Sequence, residues 1–181
     1  MIKTGDIMKK FILVIIAVLI VGIINNKSEE VFIPKEAIRF RVIANSNKEK
    51  DQETKMFVRD NIQKYLYEDL KMTNNVIEAR KKVNENMNKY NEIVKSSLDT
   101  INSDETYKVN YGNNYFPEKT YKGVTYKDGY YESLVVTLGN GMGDNWWCVL
   151  FPPLCLLEAE ESETEDVEYK FFIKELIDKY F

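Results

Sequence analysis

The chain has 181 residues, which is enough for one domain with a substantial hydrophobic core. Aromatic residues make up 13% of the sequence, including twelve tyrosines, and this content argues against a disordered chain. The formal net charge is −4, but residues 1–27 carry +3 and the remainder therefore carries −7. An acidic domain without a basic stripe is a poor nucleic-acid binder, so we expect no nucleic-acid partner.

The N-terminus has the layout of a targeting segment. Lys9 and Lys10 precede an apolar run of 14 residues, 11–24, which only Gly22 interrupts. A charged stretch followed by an apolar one is typical of a secretory signal. The run is shorter than the ~20 residues of a full span, and no small-residue cleavage site follows it. Residues 1–27 are therefore predicted to be a signal peptide or a short membrane anchor, with a buried core segment as the alternative.

The charges around the apolar run predict its orientation. Lysines lie before the run, and the acidic residues Glu29 and Glu30 lie after it. This distribution is expected to keep the N-terminus in the cytoplasm and the rest of the chain outside. We predict a linker at residues 28–36 and a single extracytoplasmic domain at residues 37–181.

The first half of this domain is predicted to be mainly helical. Residues 37–44 alternate partly between apolar and polar side chains, which indicates a strand. Residues 45–47 (Asn-Ser-Asn) suit a helix N-cap, and a helix follows to about Leu70. Apolar residues then recur mostly three and four apart over residues 76–101, which predicts a second long helix. Its apolar stripe could face a coiled-coil partner, but packing on the chain's own sheet is favoured.

The second half has the alternation and the turn signals of a sheet. The runs that indicate strands are residues 107–111, 131–138 and 146–151. Residues 127–129 (Lys-Asp-Gly) are consistent with a hairpin turn. Residues 158–166 hold six carboxylates and predict an acidic loop, and a helix follows over residues 167–181. The predicted fold is therefore α+β: two long N-terminal helices packed on a mostly antiparallel sheet, with a C-terminal helix.

Residues 145–155 (NWWCVLFPPLC) concentrate the rare residues of the chain. They contain both tryptophans, both cysteines and the only adjacent prolines. Strand alternation sends Trp146 and Trp147 to opposite faces of a sheet, and we expect one ring to be buried and the other exposed. The prolines cannot donate ladder hydrogen bonds and must end the strand. The sequence therefore predicts a rigid loop that presents aromatic and aliphatic side chains.

The two cysteines, Cys148 and Cys155, flank the proline pair. In an oxidising compartment an even pair of cysteines normally forms a disulfide, and a turn at the prolines would bring these two together. Free buried thiols are the alternative. A zinc site would need two further ligands, whereas the chain has no histidine and no other cysteine. We therefore predict a disulfide and no metal.

The absence of histidine also limits the chemistry of the chain. It excludes Ser-His-Asp and Cys-His mechanisms, so the remaining catalytic options are paired carboxylates or a lysine base. The candidate carboxylates are Glu118, Asp128, Glu132 and Asp144. None of them has a sequence spacing that marks it as catalytic. The glycine run at residues 139–143 lacks the Lys-Ser/Thr of a phosphate loop and indicates a flexible turn. We predict no catalytic residue and no cofactor.

The block at residues 145–155, with the preceding GNGMGD at residues 139–144, resembles the signature of the stage II sporulation protein R family. Further segments that match are RFRVIANSN at residues 39–47, FPEKTY at residues 116–121 and GYYESL at residues 129–134. The matching segments extend over residues 38–176, which is nearly all of the predicted domain. A block of this length made of rare residues is poorly explained by chance.

The resemblance implies an exported signalling protein. Members of this family are made in the forespore and exported into the space between the two membranes. There they activate a membrane-embedded aspartic protease that processes a sporulation sigma factor precursor. The resemblance implies that this chain is not an enzyme, has no small-molecule substrate and binds the protease through a surface.

The rigid loop is the natural anchor for such a partner. The predicted partner-binding residues are Trp146, Trp147, Phe151, Pro152, Pro153 and Leu154. The alternative function is a secreted carboxylate-dependent hydrolase that acts on cell wall. The absence of an acid–base signature weighs against that alternative.

Overall fold

The computed structural model describes residues 33–121, 124–154 and 166–181. These residues all belong to one compact unit, residues 31–181. The helices and strands, in chain order, are β1 (Ile38–Ile43), α1 (Glu49–Leu70), α2 (Val76–Glu85), α3 (Met87–Thr100), β2 (Tyr107–Phe116), β3 (Lys119–Tyr121), β4 (Val124–Tyr126), β5 (Gly129–Leu138), β6 (Asn145–Phe151) and α4 (Asp166–Tyr180). The predicted targeting segment lies outside the described residues, and so does the predicted acidic loop apart from Asp166.

Four of the described strands form a mixed sheet in the order β2-β5-β1-β6. β1 pairs in parallel with β5, whereas the β1–β6 and β2–β5 pairs are antiparallel. The predicted α+β class and the mostly antiparallel sheet are therefore confirmed. The hairpin predicted at residues 127–129 is wrong, because β4 pairs with β3 in a separate two-stranded sheet and β5 pairs with β2.

Strand alternation sends one set of side chains toward the helices α1, α2 and α3. Phe40 of β1 and Leu134 of β5 are fully buried on this face, and α1 adds Ile62 and Leu66 from successive turns. We call this side of the sheet the helix face and the other side the far face. A smaller cluster that includes far-face residues of β6 contains Ile33, Ala37, Val149, Leu154 and Ile173 of α4.

The second predicted helix is not continuous, so the prediction of two long N-terminal helices is wrong in this part. Helix α2 ends at Glu85 and helix α3 begins at Met87, because the backbone of Asn86 leaves the helical region with φ −99° and ψ 8°. Val83 and Tyr90, on either side of the break, are both buried in the main core. The apolar spacing thus continues across the break, and the sequence pattern alone does not reveal it.

Candidate functional site

The asparagines of the predicted N-cap at residues 45–47 bind the glycine-rich segment and do not cap the helix. Asn45 Oδ1 accepts a hydrogen bond from Asn140 N at 2.9 Å, and Asn47 Oδ1 accepts one from Asp144 N at 2.6 Å. The N-cap residue of α1 is instead Lys48, and its side chain makes no capping hydrogen bond. The two asparagines therefore join the end of β1 to the glycine-rich segment that leads into β6.

Glycines allow these two segments to lie in contact. Gly143 N donates to Ala44 O at 2.9 Å, and a Cβ on Gly143 would clash with the carbonyl oxygen of Ser46. Gly141 has φ +64°, a conformation that favours glycine. The glycine run is thus a turn, as predicted, and its hydrogen bonds determine where β6 begins beside β1.

Trp146 and Trp147 lie on opposite faces of the sheet, as strand alternation predicts. Trp146 pairs with Val42 on the helix face, and its ring packs edge-to-face on Phe40 with centroids 5.6 Å apart. Trp147 lies on the far face, where its ring centroid is 5.4 Å from that of Phe116. Both tryptophans are half-buried, so the prediction of one buried and one exposed ring is wrong.

Cationic side chains and aromatic rings are in contact around Trp147. The guanidinium carbon of Arg39 lies 3.4 Å from the Tyr131 ring centroid and 5.3 Å from the Phe116 ring centroid. The Lys119 ammonium lies 5.2 Å from the Trp147 ring centroid. Contacts at these distances stabilise cations through the negative face of the ring. The aromatic rings therefore hold two positive charges in this part of the far face.

The two arginines of β1 that point to the far face differ in their hydrogen bonds. Arg41 Nε donates to Asn145 Oδ1 at 3.2 Å, and Arg41 Nη1 donates to the backbone oxygen of Tyr115 at 3.0 Å. Arg39 is only 2% exposed, yet its Nε and Nη1 have no hydrogen-bond partner among the described residues. Burial lowers the pKa of the Arg39 guanidinium, and the phenol groups of nearby tyrosines partly oppose this shift.

A cavity of about 290 Å³ lies among these groups. Arg39 and Lys119 contribute positive charge, and Phe116, Trp147 and Leu154 contribute apolar wall. Among the described residues that line the cavity there is no aspartate or glutamate. Because the chain also has no histidine, this arrangement is better suited to binding a ligand than to acid–base catalysis.

The other predicted partner-binding residues are mostly buried. Phe151 is 1% exposed, and its ring lies 5.0 Å from the Tyr180 ring of α4, centroid to centroid. Leu154 is 2% exposed, Pro152 is also buried, and Pro153 is half-buried. Partner binding by these residues stays a prediction. Their burial leaves the two tryptophans as the more accessible part of the segment.

The predicted disulfide involves one residue that the structure describes. Cys148 is buried in β6, and Cys155 lies outside the described residues. The pairing of the two cysteines therefore stays a prediction. Within residues 33–121, 124–154 and 166–181, no group of His, Cys, Asp and Glu side chains is arranged to hold a metal ion. In the same part of the chain, no helix has the length and apolar composition that a membrane crossing requires.

The four candidate carboxylates do not come together at this cavity. Glu132 lies on the helix face, where its Oε2 accepts from Arg80 Nη2 at 2.7 Å and its Oε1 accepts from the Tyr111 hydroxyl at 2.6 Å. Burial acts to raise the pKa of Glu132, but the hydrogen bonds from Arg80 and Tyr111 lower the pKa overall. Glu132 is therefore part of an ion pair that joins α2 to the sheet. The exposed candidates are Glu118, Asp128 and Asp144.

The sequence analysis did not select Arg39, Lys119 or Tyr131. The signal for Arg39 was its place in β1, where a charged side chain alternates with the buried residues Ile38 and Phe40. Such a charge points to the face that the helices do not cover. Lys119 lies in β3 and Tyr131 in β5, both far from Arg39 along the chain, and only the tertiary structure brings all three to the same part of the far face.

Comparison with known proteins shows what this chain is similar to. A family model described as stage II sporulation protein R matches residues 34–161. A Bacillus subtilis (strain 168) protein named "Stage II sporulation protein R" is 36% identical over 138 residues. The alignment covers 76% of this chain and 62% of that protein, which is less than two thirds of its length. No solved structure matches.

Proposed function

Because the chain belongs to the stage II sporulation protein R family, and so has a role in sporulation, we propose that it is an exported intercompartmental signal. It activates a membrane-embedded aspartic protease, which then processes the precursor of a sporulation sigma factor. The match at residues 34–161 carries this proposal, because it includes all the strands that surround the far-face cavity.

The far face around Trp147 supports a role in partner binding. Trp147 is half-buried and Lys119 is exposed, so both side chains are accessible without unfolding. Interfaces are enriched in tryptophan near their centre, and a ring held by its neighbours loses little entropy on binding. The edge contact with Phe116 holds the Trp147 ring in this way. We therefore propose that Trp147 contacts the protease.

The proposed role does not include catalysis by this chain. The cavity combines cations with aromatic walls, and its described lining offers no carboxylate pair for hydrolysis. A purified-protein assay on peptidoglycan separates the proposal from the cell-wall hydrolase. Release of soluble fragments by the wild-type chain, and its loss on changing a single carboxylate to its amide, would favour the hydrolase.

The proposed location is the space between the forespore and mother-cell membranes. The support is the lysine-then-apolar layout of residues 1–27, which is expected to direct export and to leave the domain outside the cytoplasm. Whether the segment is cleaved or kept as an anchor, the proposed signalling surface would be on the outer side. A fusion of a periplasm-dependent reporter to the C-terminus tests this orientation.

Co-expression tests the proposed activity. The chain, the protease and the sigma factor precursor are produced together in a bacterium that does not sporulate, and removal of the pro-segment is followed by gel mobility. We expect processing only when all three proteins are present and when residues 1–27 are intact. Processing that continues without this chain would contradict the proposal.

A matched pair of variants tests the contact surface. Trp147→Ala should reduce partner binding by about 2 kcal/mol, or about thirtyfold, while the domain stays folded. Lys95→Met, an exposed change on α3 at the opposite side of the sheet, should leave processing unchanged. If Trp147→Ala reduced processing only in proportion to unfolded protein, the ring would be structural and not a contact.

A further inference from the structure

The buried guanidinium of Arg39 is the feature of the far face that partner binding through Trp147 does not explain. We propose that the far-face cavity is a carboxylate-binding site, which takes a monocarboxylate attached to an aromatic or aliphatic group, as an acidic peptide segment presents it. This inference does not rest on the proposed function, because it is drawn from the side chains of the cavity alone.

The first argument is hydrogen bonding. Arg39 is 2% exposed and lines the cavity, and its Nε and Nη1 donors have no partner among the described residues. A buried charged donor without an acceptor is costly, and native structures usually satisfy it. Stacking of the guanidinium on Tyr131 at 3.4 Å stabilises the charge through the ring face but leaves Nε and Nη1 without an acceptor among the described residues. Within the described part of the site, no acceptor satisfies Arg39 Nε and Nη1, and a carboxylate oxygen would supply one.

The second argument is charge. Lys119 adds a second cation to the lining, and no described lining residue is acidic. This is a local excess of positive charge in a chain whose net charge is −4. Such an excess attracts an anion and repels a cation. The cavity therefore selects the sign of its ligand.

The third argument is the character of the walls. Phe116, Trp147, Val149 and Leu154 line the cavity beside the two cations. Apolar walls cannot replace the hydration shell of a dianion such as phosphate, whereas they contact the hydrocarbon part of a carboxylic acid favourably. The volume of about 290 Å³ is at the lower end of small-molecule sites and fits an acidic side chain with one neighbouring group.

The carboxylate has two available sources, which share one chemistry. One is an acidic segment of another protein. The other is this chain, because six carboxylates occur in residues 158–166, beginning four residues after the lining residue Leu154.

Tryptophan fluorescence of the full chain in mild detergent is the measurement, because the ring of Trp147 lies on the far face, where this residue lines the cavity. The probe is 3-phenylpropionate, and its uncharged amide, 3-phenylpropanamide, is the matched control. We expect a saturable change with the acid at millimolar concentration and at least tenfold weaker binding of the amide. Inorganic phosphate at equal ionic strength should not compete. Equal binding of acid and amide, or tighter binding of phosphate, would overturn the proposal.

Variants then assign the site. Arg39→Met should weaken acid binding at least tenfold, and Lys119→Met, which changes an exposed side chain, should weaken it severalfold. Lys95→Met on α3 is the control and should not change it. If Arg39→Met does not fold, the proposal is tested by Lys119→Met together with the ratio of the affinities for the acid and the amide. Unchanged acid binding in Lys119→Met and an acid-to-amide ratio near one would then refute the site.

The source is tested by changing Glu158, Glu160, Glu161, Glu163 and Glu165 to Gln in one variant. Tighter binding of the probe by this variant than by the wild type would show that the chain's own carboxylates compete for the cavity. Equal binding in both would show that these five glutamates do not occupy the cavity, which leaves an acidic segment of another protein as the source. Either result supports carboxylate recognition, and absence of saturable binding in both proteins would refute it.

Discussion

Arginines that point to the two faces of the sheet have opposite surroundings. On the helix face, Arg80 donates to both oxygens of Glu132, with Nε–Oε1 at 2.8 Å and Nη2–Oε2 at 2.7 Å. On the far face, Arg39 is more deeply buried, yet aromatic rings surround it and two of its donors have no partner among the described residues. The paired arginine contributes to folding, whereas the unpaired one indicates a place where a ligand completes the structure.

The same contrast holds for the aromatic residues of the two faces. Phe40 is fully buried in the main core, whereas Trp147 is half-buried at the cavity. Both are in edge-to-face contact with another ring, at 5.6 Å and 5.4 Å between centroids. A ring contact alone therefore does not distinguish core from surface, and burial does.

Truncating an aromatic ring on each face should have unequal effects on stability. Phe40→Ala removes a fully buried ring and should lower the free energy of unfolding by about 3–5 kcal/mol. Trp147→Ala should lower it by only about 1 kcal/mol, because Trp147 is half-buried and not fully buried. Urea unfolding followed by far-UV circular dichroism measures both. Similar losses would mean that the far face is part of the core.

Replacing each arginine by methionine compares the paired and the unpaired guanidinium directly. Arg80→Met leaves Glu132 partly buried without its cation and should lower the free energy of unfolding by about 2 kcal/mol. Arg39→Met removes a buried guanidinium of which two donors have no partner among the described residues, and it should change the free energy by less than about 1 kcal/mol in either direction. The same urea titration applies. A loss for Arg39→Met as large as that for Arg80→Met would give Arg39 a structural role.

The stability contribution of Glu132 should depend on pH. Its pKa is lowered in the folded state, so the contribution is present above the unfolded pKa of about 4.3 and is lost as the pH falls through the folded pKa. At pH 7, Glu132→Gln should cost about 1.5 kcal/mol. The difference between wild type and variant should shrink on acidification below pH 4. A difference independent of pH would show that Glu132 acts through packing alone.

Glu105 is a partly buried carboxyl beside a second carboxyl, Asp51, and its effect on stability should change with pH in the opposite direction. Burial is the largest cause that raises the pKa of Glu105, and the negative charge of Asp51 is the second. The Oε2 atom of Glu105 is buried without a hydrogen-bond partner among the described residues. Its ionised form therefore destabilises the fold above the folded pKa, and this penalty is absent below the unfolded pKa. Glu105→Gln should raise the free energy of unfolding by about 1 kcal/mol at pH 7.5 and leave it unchanged near pH 3.5.

Asp104→Asn is the matched control for this last variant, because Asp104 is an exposed neighbour for which the structure shows no hydrogen bond or ion pair. Thermal unfolding at both pH values compares the two variants. If Asp104→Asn stabilised the protein as much as Glu105→Gln, the gain would come from net charge and not from the Asp51–Glu105 pair.

Much of the fold could be predicted because it depends on local patterns. The strand-like pattern of residues 131–138 predicted all of β5 except its first two residues, and the apolar spacing up to Leu70 predicted where α1 ends. The break at Asn86 could not be predicted, since the apolar spacing continues across it. The pairing of β5 with β1 also joins residues about ninety positions apart, for which the sequence carries no local signal.

The sequence by itself determined that Trp146 and Trp147 point to opposite faces, because strand geometry alternates whatever lies around it. It also determined the family, because rare residues occur in an order that chance does not produce. Only the tertiary structure decided what each face contains. Arg39, Phe116, Lys119 and Trp147 come from four strands of two separate sheets, and only the tertiary structure brings them to one cavity. Burial and the absence of an acceptor for Arg39 are properties of that assembly, which a single segment of sequence cannot specify.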